Sequence, residues 1–190
     1  DAGDALTTGS NNVAVGFEAL STEDAHGNNV AIGNRALKTL NAGAAGINVA
    51  VGDDAGLSMT TGIYNTLLGG LAGDALTDAD HNVAVGFNAL SADTLGSGSV
   101  AIGQGTLNVQ NFTTATSTLN TAVGYQAGTS VTSGVHNTLI GGQTGDALTQ
   151  GARNTAVGVA ALTADTLGQY STAIGYGALS VQNQTTAVNT

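Results

Sequence analysis

The stretch NTAVG at residues 120–124 is one copy of a pentad, Asn-(Val/Thr)-Ala-(Val/Ile)-Gly, that recurs along the whole chain. Ten copies occur, and two of them carry Ser in place of Asn. The closing glycines are Gly16, Gly33, Gly52, Gly69, Gly86, Gly103, Gly124, Gly141, Gly158 and Gly175. Seven of the nine intervals between them are 17 residues, and the other two are 19 and 21. A short fixed period predicts a repeat architecture in which each copy is one structural unit.

The pattern within each pentad is typical of a β-strand. Val or Thr stands three residues before each glycine, and Val, Ile or Leu stands one residue before it. Side chains alternate along a strand, so these two residues point to the same side. We therefore predict an all-β protein, a parallel β-solenoid (β-roll) of about ten 17-residue rungs. Residues 1–190 form a single repeat domain in this interpretation, with contacts only between neighbouring rungs.

A second, longer period is superimposed on the first. The residue four after each glycine is Leu in two rungs and then Gly in two rungs, as in Leu20 and Leu37 followed by Gly56 and Gly73. The segment DALT also recurs at 4–7, 74–77 and 146–149. The chain is therefore built from four-rung supermodules of about 70–72 residues. Both ends of the chain fall inside a supermodule, so we expect a fragment of a longer fibre.

The two faces of each strand lead to a prediction about packing. We place the Val/Thr and Val/Ile/Leu side chains inside the coil, and the Asn, Ala and Gly of the opposite face against a neighbouring chain, because a strand that is apolar on both faces is buried on both. Leu67 and Leu139 replace the central Ala, and an extra glycine, Gly70 or Gly142, follows in the same rungs. We expect these glycines to compensate for the larger leucines.

The polar and glycine positions of the pentad leave alternatives open. Stacked Asn amides can hydrogen-bond from rung to rung as a ladder, or Asn can simply suit the turn before a strand. The glycine either relaxes a bend or permits close backbone approach. On either account we expect a branched side chain at Gly86 to disrupt stacking. The two variable residues that follow each glycine are predicted to be exposed.

Composition excludes several classes of function. The 190 residues contain no Cys, so there is no disulfide, no thiolate metal site and no cysteine nucleophile. Thirteen acidic residues against three Lys or Arg give a formal charge of −10, which argues against nucleic acids and anionic membrane surfaces as partners. No apolar run approaches the roughly 20 residues of a membrane span. We predict no cofactor.

No catalytic constellation is visible, and we predict that the protein is not an enzyme. His81 and His136 share a rung position, five before the glycine, that elsewhere holds residues as different as Asn, Ile, Gly and Arg. Such variation is typical of a surface position. Three acidic groups could bind a divalent cation. They are Asp53-Asp54, Asp78 with Asp80, and Glu23-Asp24. The calcium-binding nonapeptide of other β-rolls is absent, so we favour solvated loop charge and predict no metal site.

Four of the seven aromatic residues directly follow a pentad glycine. They are Phe17, Phe87, Tyr125 and Tyr176. Exposed aromatic rings at these positions could stack on sugar rings and bind host glycans. The alternative, which we favour, is that they pack at the corner of the coil or between chains.

The repeats resemble those of a known group of fibrous proteins. NVAVGFNAL at 82–90, NTAVGYQAG at 120–128 and NTAVGVAAL at 154–162 resemble the 17-residue "NTAVGxxAL" repeats of phage tail fibres and related bacterial surface proteins. SVAIG at 99–103 is also similar to the head repeats of trimeric autotransporter adhesins. The resemblance covers nearly the whole chain. It implies a parallel homotrimer outside the cell, on a virion or a cell surface.

Two functions follow from this resemblance, and a third from the repeat itself. The first is the structural shaft of a trimeric fibre that spaces a receptor-binding tip. The second is an adhesin module whose loops and aromatic residues bind host glycans directly. An ice-binding solenoid is the third and least favoured, because Thr at the first strand position is followed two residues later by Val, Ile or Leu.

Overall fold

The computed structural model describes residues 1–184, which form a β-solenoid with one strand of its main sheet in each of ten turns. The main sheet contains β1 (Val13–Val15), β2 (Val30–Ile32), β3 (Val49–Val51), β4 (Thr66–Leu68), β5 (Val83–Val85), β7 (Val100–Ile102), β9 (Thr121–Val123), β10 (Thr138–Ile140), β11 (Thr155–Val157) and β12 (Thr172–Ile174). A separate two-stranded sheet pairs β6 (Gly96–Ser97) with β8 (Thr116–Ser117). All of these pairings are parallel, so the predicted β-solenoid fold is confirmed. The described residues include no helix that could cross a membrane.

The register of the main sheet is unbroken from the first rung to the last. Val13 pairs with Val30 across a 17-residue interval. Val30 pairs with Val49 across the 19-residue interval, and Val100 pairs with Thr121 across the 21-residue interval. Exposed loop residues at 43–45 and 113–115 lie within these two longer rungs. The extra residues therefore lie in loops outside the sheet and leave the register of the strands unchanged.

The strand face that points into the coil is the face of Asn, Ala and Gly. Ala31 and Ala84 are completely buried, whereas Ile174 on the opposite face is 70% exposed. The prediction that Val and Ile fill the interior was therefore wrong. The interior must also hold the leucine four residues after the glycine, such as the fully buried Leu20. The narrow coil has room for that leucine only because the strand residue facing it is alanine, whose side chain is a single methyl group.

The alternation of leucine and glycine four residues after each pentad glycine has a packing cause. A Cβ atom on Gly56 would lie 2.8 Å from Leu67 Cδ1, and one on Gly73 would lie 2.8 Å from Leu67 Cδ2. The larger strand residue is therefore accommodated by these two glycines. The prediction that Gly70 performs this role was wrong. Leu139 repeats the arrangement with its own glycine pair, Gly128 and Gly145.

Each rung turns at recurring left-handed positions. Residues five before, two after and four after the pentad glycine have positive φ in every rung of the described chain. Ala160 is two after its glycine and has φ of 55°, whereas glycine occupies the equivalent position at Gly105 and Gly177. A non-glycine residue in this region is strained by its own Cβ atom by about 1–2 kcal/mol.

We expect Ala160→Gly to stabilise the solenoid by about 0.5–1 kcal/mol, because relief of that strain exceeds the added entropy of the unfolded chain. The neighbouring Ala161→Gly is the matched control. Ala161 is fully buried and not left-handed, so its loss should destabilise by about 1–2 kcal/mol. Urea unfolding of both variants tests the pair, and a shift of the same sign in both would contradict this account of the turns.

Candidate functional site

The outward side of the sheet is the most distinctive surface of the molecule. From five residues before each pentad glycine to one residue after it, side chains alternate between outside and inside. Four outward columns result: two strand columns, a leading column five residues before the glycine, and a trailing column directly after it. The leading column is Asn11, Asn28, Ile47, Tyr64, His81, Gly98, Leu119, His136, Arg153 and Tyr170. The trailing column is Phe17, Asn34, Asp53, Gly70, Phe87, Gln104, Tyr125, Gly142, Val159 and Tyr176.

These four columns, which we call the outer face, collect the exposed apolar surface of the protein. Among the described residues, every exposed large apolar side chain lies on the outer face except Val109, Leu179 and Val181. In the strand columns, Val15 is 56% exposed and Ile174 is 70% exposed. A concentration of exposed apolar side chains on one side of a protein is typical of an interaction surface.

The outer face is also nearly free of charge. Its only acidic residue is Asp53, and its only Lys or Arg is Arg153, although the whole chain carries −10. His81 and His136 lie exposed in the leading column, which confirms the predicted surface position. The rings of Tyr64 and His81 stack with centroids 5.0 Å apart, and the guanidinium of Arg153 lies 5.4 Å from the ring centroid of Tyr170. Neighbouring rungs therefore stack along this edge.

The four aromatic residues proposed to contact glycans all lie in the trailing column. Phe17 is 67% exposed and Tyr176 is 86% exposed, and Phe87 and Tyr125 are each more than half exposed. Packing within the subunit therefore leaves these rings open. They remain available for a sugar ring or for another chain.

Inside the coil, the asparagine at the start of each pentad forms the predicted ladder. Asn65 shows the arrangement: its Oδ1 accepts the backbone N–H of Asn82 in the next rung at 2.9 Å. Its Nδ2 donates to the carbonyl oxygen of Ala79 at 2.8 Å. The amide-to-backbone contact with the next rung recurs from Asn12 onwards and ends at Ser171, with one interruption at Ser99. Of the two alternatives left open by the sequence, the structure shows the ladder.

A buried polar network fills the gap in the ladder at Ser99. Gln110 donates from Nε2 to Asp93 Oδ2 at 2.6 Å and to Ser99 Oγ at 3.0 Å. Its Oε1 accepts from Asn120 Nδ2 at 2.8 Å. The longer Gln110 side chain thereby occupies the position that a ladder asparagine would fill. Both Asp93 and Gln110 are completely buried.

Asp93 is one of three equivalent buried carboxylates, seven residues after pentad glycines. Glu23 and Asp165 are the others, and both are completely buried. Each accepts the backbone N–H three residues ahead and the backbone N–H 19 residues ahead in the next rung. Through these hydrogen bonds, each carboxylate joins the loop of its own rung to the loop of the next rung. Sequence reasoning missed them. Their spacing of 70 and 72 residues was the available signal.

Burial raises the pKa of Asp93, and the hydrogen bond from Gln110 opposes this shift most strongly. A raised pKa means that the folded state holds the proton more tightly than the unfolded chain does. Ionisation of Asp93 therefore costs stability as the pH rises from about 3.8 through the raised pKa. Gln110 reduces that cost because it donates a hydrogen bond to the charged form.

We expect Gln110→Leu to destabilise the fold by about 2 kcal/mol at pH 7, because a buried carboxylate oxygen loses its donor. The loss should be smaller at pH 4, because the raised pKa of Asp93 leaves more of the carboxyl protonated there. Urea unfolding at both pH values measures the difference. In the equivalent variant Gln182→Leu the effect should be smaller, because Gln182 Nε2 lies 3.5 Å from Asp165 Oδ2. A pH-independent loss at Gln110 would contradict the assigned role.

Other carboxylates depart from the prediction of solvated loop charge. Asp54 is only 7% exposed and pairs with Arg35, and Glu23 is buried as described above. Burial also raises the pKa of Asp74 and Asp146, which occupy equivalent turns. The nearby charge of Asp54 adds a smaller contribution to the shift at Asp74.

Glu23, Asp24 and His26 bring potential ligand atoms within 4.8 Å of one another. Both oxygens of Glu23 already accept hydrogen bonds, from the backbone N–H groups of His26 and Ala42. The position of the carboxylate is therefore explained by its backbone contacts.

Comparison of the chain with protein-family models, with curated proteins and with solved structures finds no match. The fold and the outer face therefore define the protein as a β-solenoid repeat protein with one flat apolar side.

Proposed function

We propose that the protein is a non-enzymatic structural shaft, a segment of a trimeric extracellular fibre that spaces or presents a receptor-binding tip. The fibre belongs to a phage tail or to a bacterial cell surface, as the repeat resemblance implies. The observation that carries the proposal is the outer face, which is nearly uncharged and holds Val, Ile or Leu directly before the pentad glycine in all ten rungs. A shaft of parallel chains needs one such side on every subunit.

The size of the outer face suits a stable assembly. Ten strands at ~4.8 Å spacing make the face about 43 Å long. Six residues separate the leading from the trailing column, so the face is at most about 20 Å wide at ~3.3 Å per residue. The face therefore measures at most about 850 Å², comparable with the roughly 800 Å² that each partner buries in a standard interface.

Charge placement also favours contact between copies of this chain. Two chains of formal charge −10 repel each other over most of their surfaces. The outer face carries only Asp53 and Arg153 as charged residues, so copies that meet there bring few like charges together. The alanine-bearing face that sequence reasoning assigned to a neighbour is inside the coil, which leaves the Val/Ile face for this purpose.

Sedimentation equilibrium tests the proposal directly. We expect a particle of about three times the chain mass of 18.4 kDa. Ile102→Lys places a charge in a strand column and should give monomers of unchanged circular dichroism, because an unpaired charge resists burial. Thr113→Lys is the matched control in an exposed loop and should stay trimeric. A wild-type chain that is monomeric at tens of micromolar would refute the proposal.

A second candidate function is supported by the exposed rings of the trailing column. In this alternative the protein is an adhesin module in which Phe17, Phe87, Tyr125 and Tyr176 stack on host surface glycans. We expect a glycan array to show binding that Phe87→Ala and Tyr125→Ala weaken at least tenfold. Unchanged binding in the variants, or no binding by the wild type, would rule this role out.

A further inference from the structure

We propose that copies of this chain meet in register along the edges of the outer face, with Gly70 and Gly142 of one copy receiving Tyr64 and His136 of the next. The proposal rests on the proposed fibre shaft and specifies how its chains are arranged. The occupant of each glycine position is a side chain from the same rung of a second copy.

Gly70 and Gly142 have no explanation within the subunit. Neither has a positive φ, so the backbone does not require glycine. A Cβ atom on Gly70 would meet Phe87 Cδ2 at 3.5 Å, an ordinary contact, and one on Gly142 would find only Tyr125 O at 3.9 Å. Leu67 and Leu139 are accommodated by other glycines, as described above. The absence of a side chain at these two positions therefore benefits something outside the subunit.

In the three rungs that have a glycine at one edge of the outer face, a larger residue stands at the other edge. Gly70 shares its rung with Tyr64, and Gly142 shares its rung with His136. The reverse also occurs, because Gly98 in the leading column shares its rung with Gln104 in the trailing column. Six residues separate the two edges, about 20 Å, so the matched side chains cannot touch within one chain.

A parallel cyclic arrangement brings the matched positions together. The trailing edge of one copy then lies beside the leading edge of the next, and rungs at the same height meet. An interface between two different edges closes into a ring when the rotation permits. Each of these glycines is matched by a residue of its own rung, so the pairing does not depend on how many rungs the fibre contains. An antiparallel pair would instead bring two trailing edges together and place Gly142 opposite Asp53, and a parallel slip of one supermodule would place it opposite Tyr64.

Engineered disulfides distinguish these arrangements, because the natural chain has no cysteine. The double variant Gly142→Cys/His136→Cys should form covalent trimers on mild oxidation, read on a non-reducing denaturing gel. Gly142→Cys/Asp53→Cys reports an antiparallel pair, and Gly142→Cys/Tyr64→Cys reports the slipped register. Both should remain mostly uncrosslinked. Circular dichroism confirms folding, which we expect to be retained because a side chain at Gly142 has open space.

The outcomes separate this inference from the proposed shaft. Trimers in sedimentation that crosslink only through the Asp53 or Tyr64 variant, or through none, would overturn the in-register arrangement and leave the shaft standing. Covalent dimers in place of trimers from the matched pair would support the edge pairing and refute a threefold fibre. Monomers in sedimentation would refute both.

Discussion

Gly86→Val should cost the solenoid about 2–6 kcal/mol of its free energy of unfolding. Gly86 has φ of 129°, a region that a branched residue reaches only with strain of about 1–3 kcal/mol. A Cβ atom there would also lie 2.7 Å from the carbonyl carbon of Gly103 and 3.0 Å from the backbone nitrogen of Gln104. Both contacts are backbone atoms of the next rung, and overpacking of this kind adds about 1–3 kcal/mol. Glycine at this position therefore both relaxes the bend in the backbone and permits the close approach of the next rung.

The damage should remain local, because each rung contacts only its neighbours. Amide hydrogen exchange should accelerate most around β5 and β7, while urea unfolding measures the total loss. Gly142→Ala is the control, measured like Gly86→Val in the Ile102→Lys background that separates the copies: it adds a side chain to a glycine with open space within the subunit, so its stability should stay within about 1 kcal/mol of that background. If Gly86→Val unfolds at the same urea concentration as Gly142→Ala, close contact between the pentad glycines of neighbouring rungs is not the reason that position 86 requires glycine.

The ten pentad glycines share this geometry. Their φ values all lie between 121° and 146°. For every one of them up to Gly158, an added Cβ would lie less than 3 Å from the carbonyl group of the next pentad glycine. The recurrence of glycine at a fixed interval therefore reports a backbone contact, which explains why the period alone predicted the solenoid, its strands and the position of its insertions.

The orientation of the strands was not predictable from the same pattern, because both faces of the pentad are apolar. Val and Ile have the larger apolar area, and burial of that area favours the interior. What decides the orientation is the space inside one narrow coil, which Leu20 and its equivalents occupy together with the small alanine. That constraint depends on a residue four positions after the pentad glycine, outside the strand, so the pattern of the strand residues alone does not reveal it.

The buried carboxylates illustrate a second limit of the sequence. Glu23, Asp93 and Asp165 look like loop charges, because Ser and Thr surround them. Their backbone partners lie 19 residues ahead, in the next rung, and such partners become visible only once the rungs are stacked. The partner Gln110 is equally inconspicuous in sequence, although it replaces an asparagine of the ladder.

Asn65→Ala should destabilise the solenoid by about 2–5 kcal/mol. The substitution removes the acceptor of the Asn82 N–H and the donor to the Ala79 carbonyl oxygen. Asn82 is completely buried, as is the side chain of Asn65 itself, so water cannot readily replace either partner. A buried group left without its hydrogen bond costs about 1–3 kcal/mol, and two groups are affected.

Asn34→Ala provides the matched comparison. The Asn34 amide is exposed and donates to Asp53 Oδ1 at 2.8 Å, so solvent can replace this bond and the loss should stay below about 0.5 kcal/mol. Asn65→Ser should fall between the two, because a hydroxyl can satisfy one of the two groups but is too short to reach both. Urea unfolding of the three variants gives the order. Equal losses in Asn65→Ala and Asn34→Ala would mean that strand pairing alone joins the rungs, and that the amide ladder contributes little to the stability of the coil.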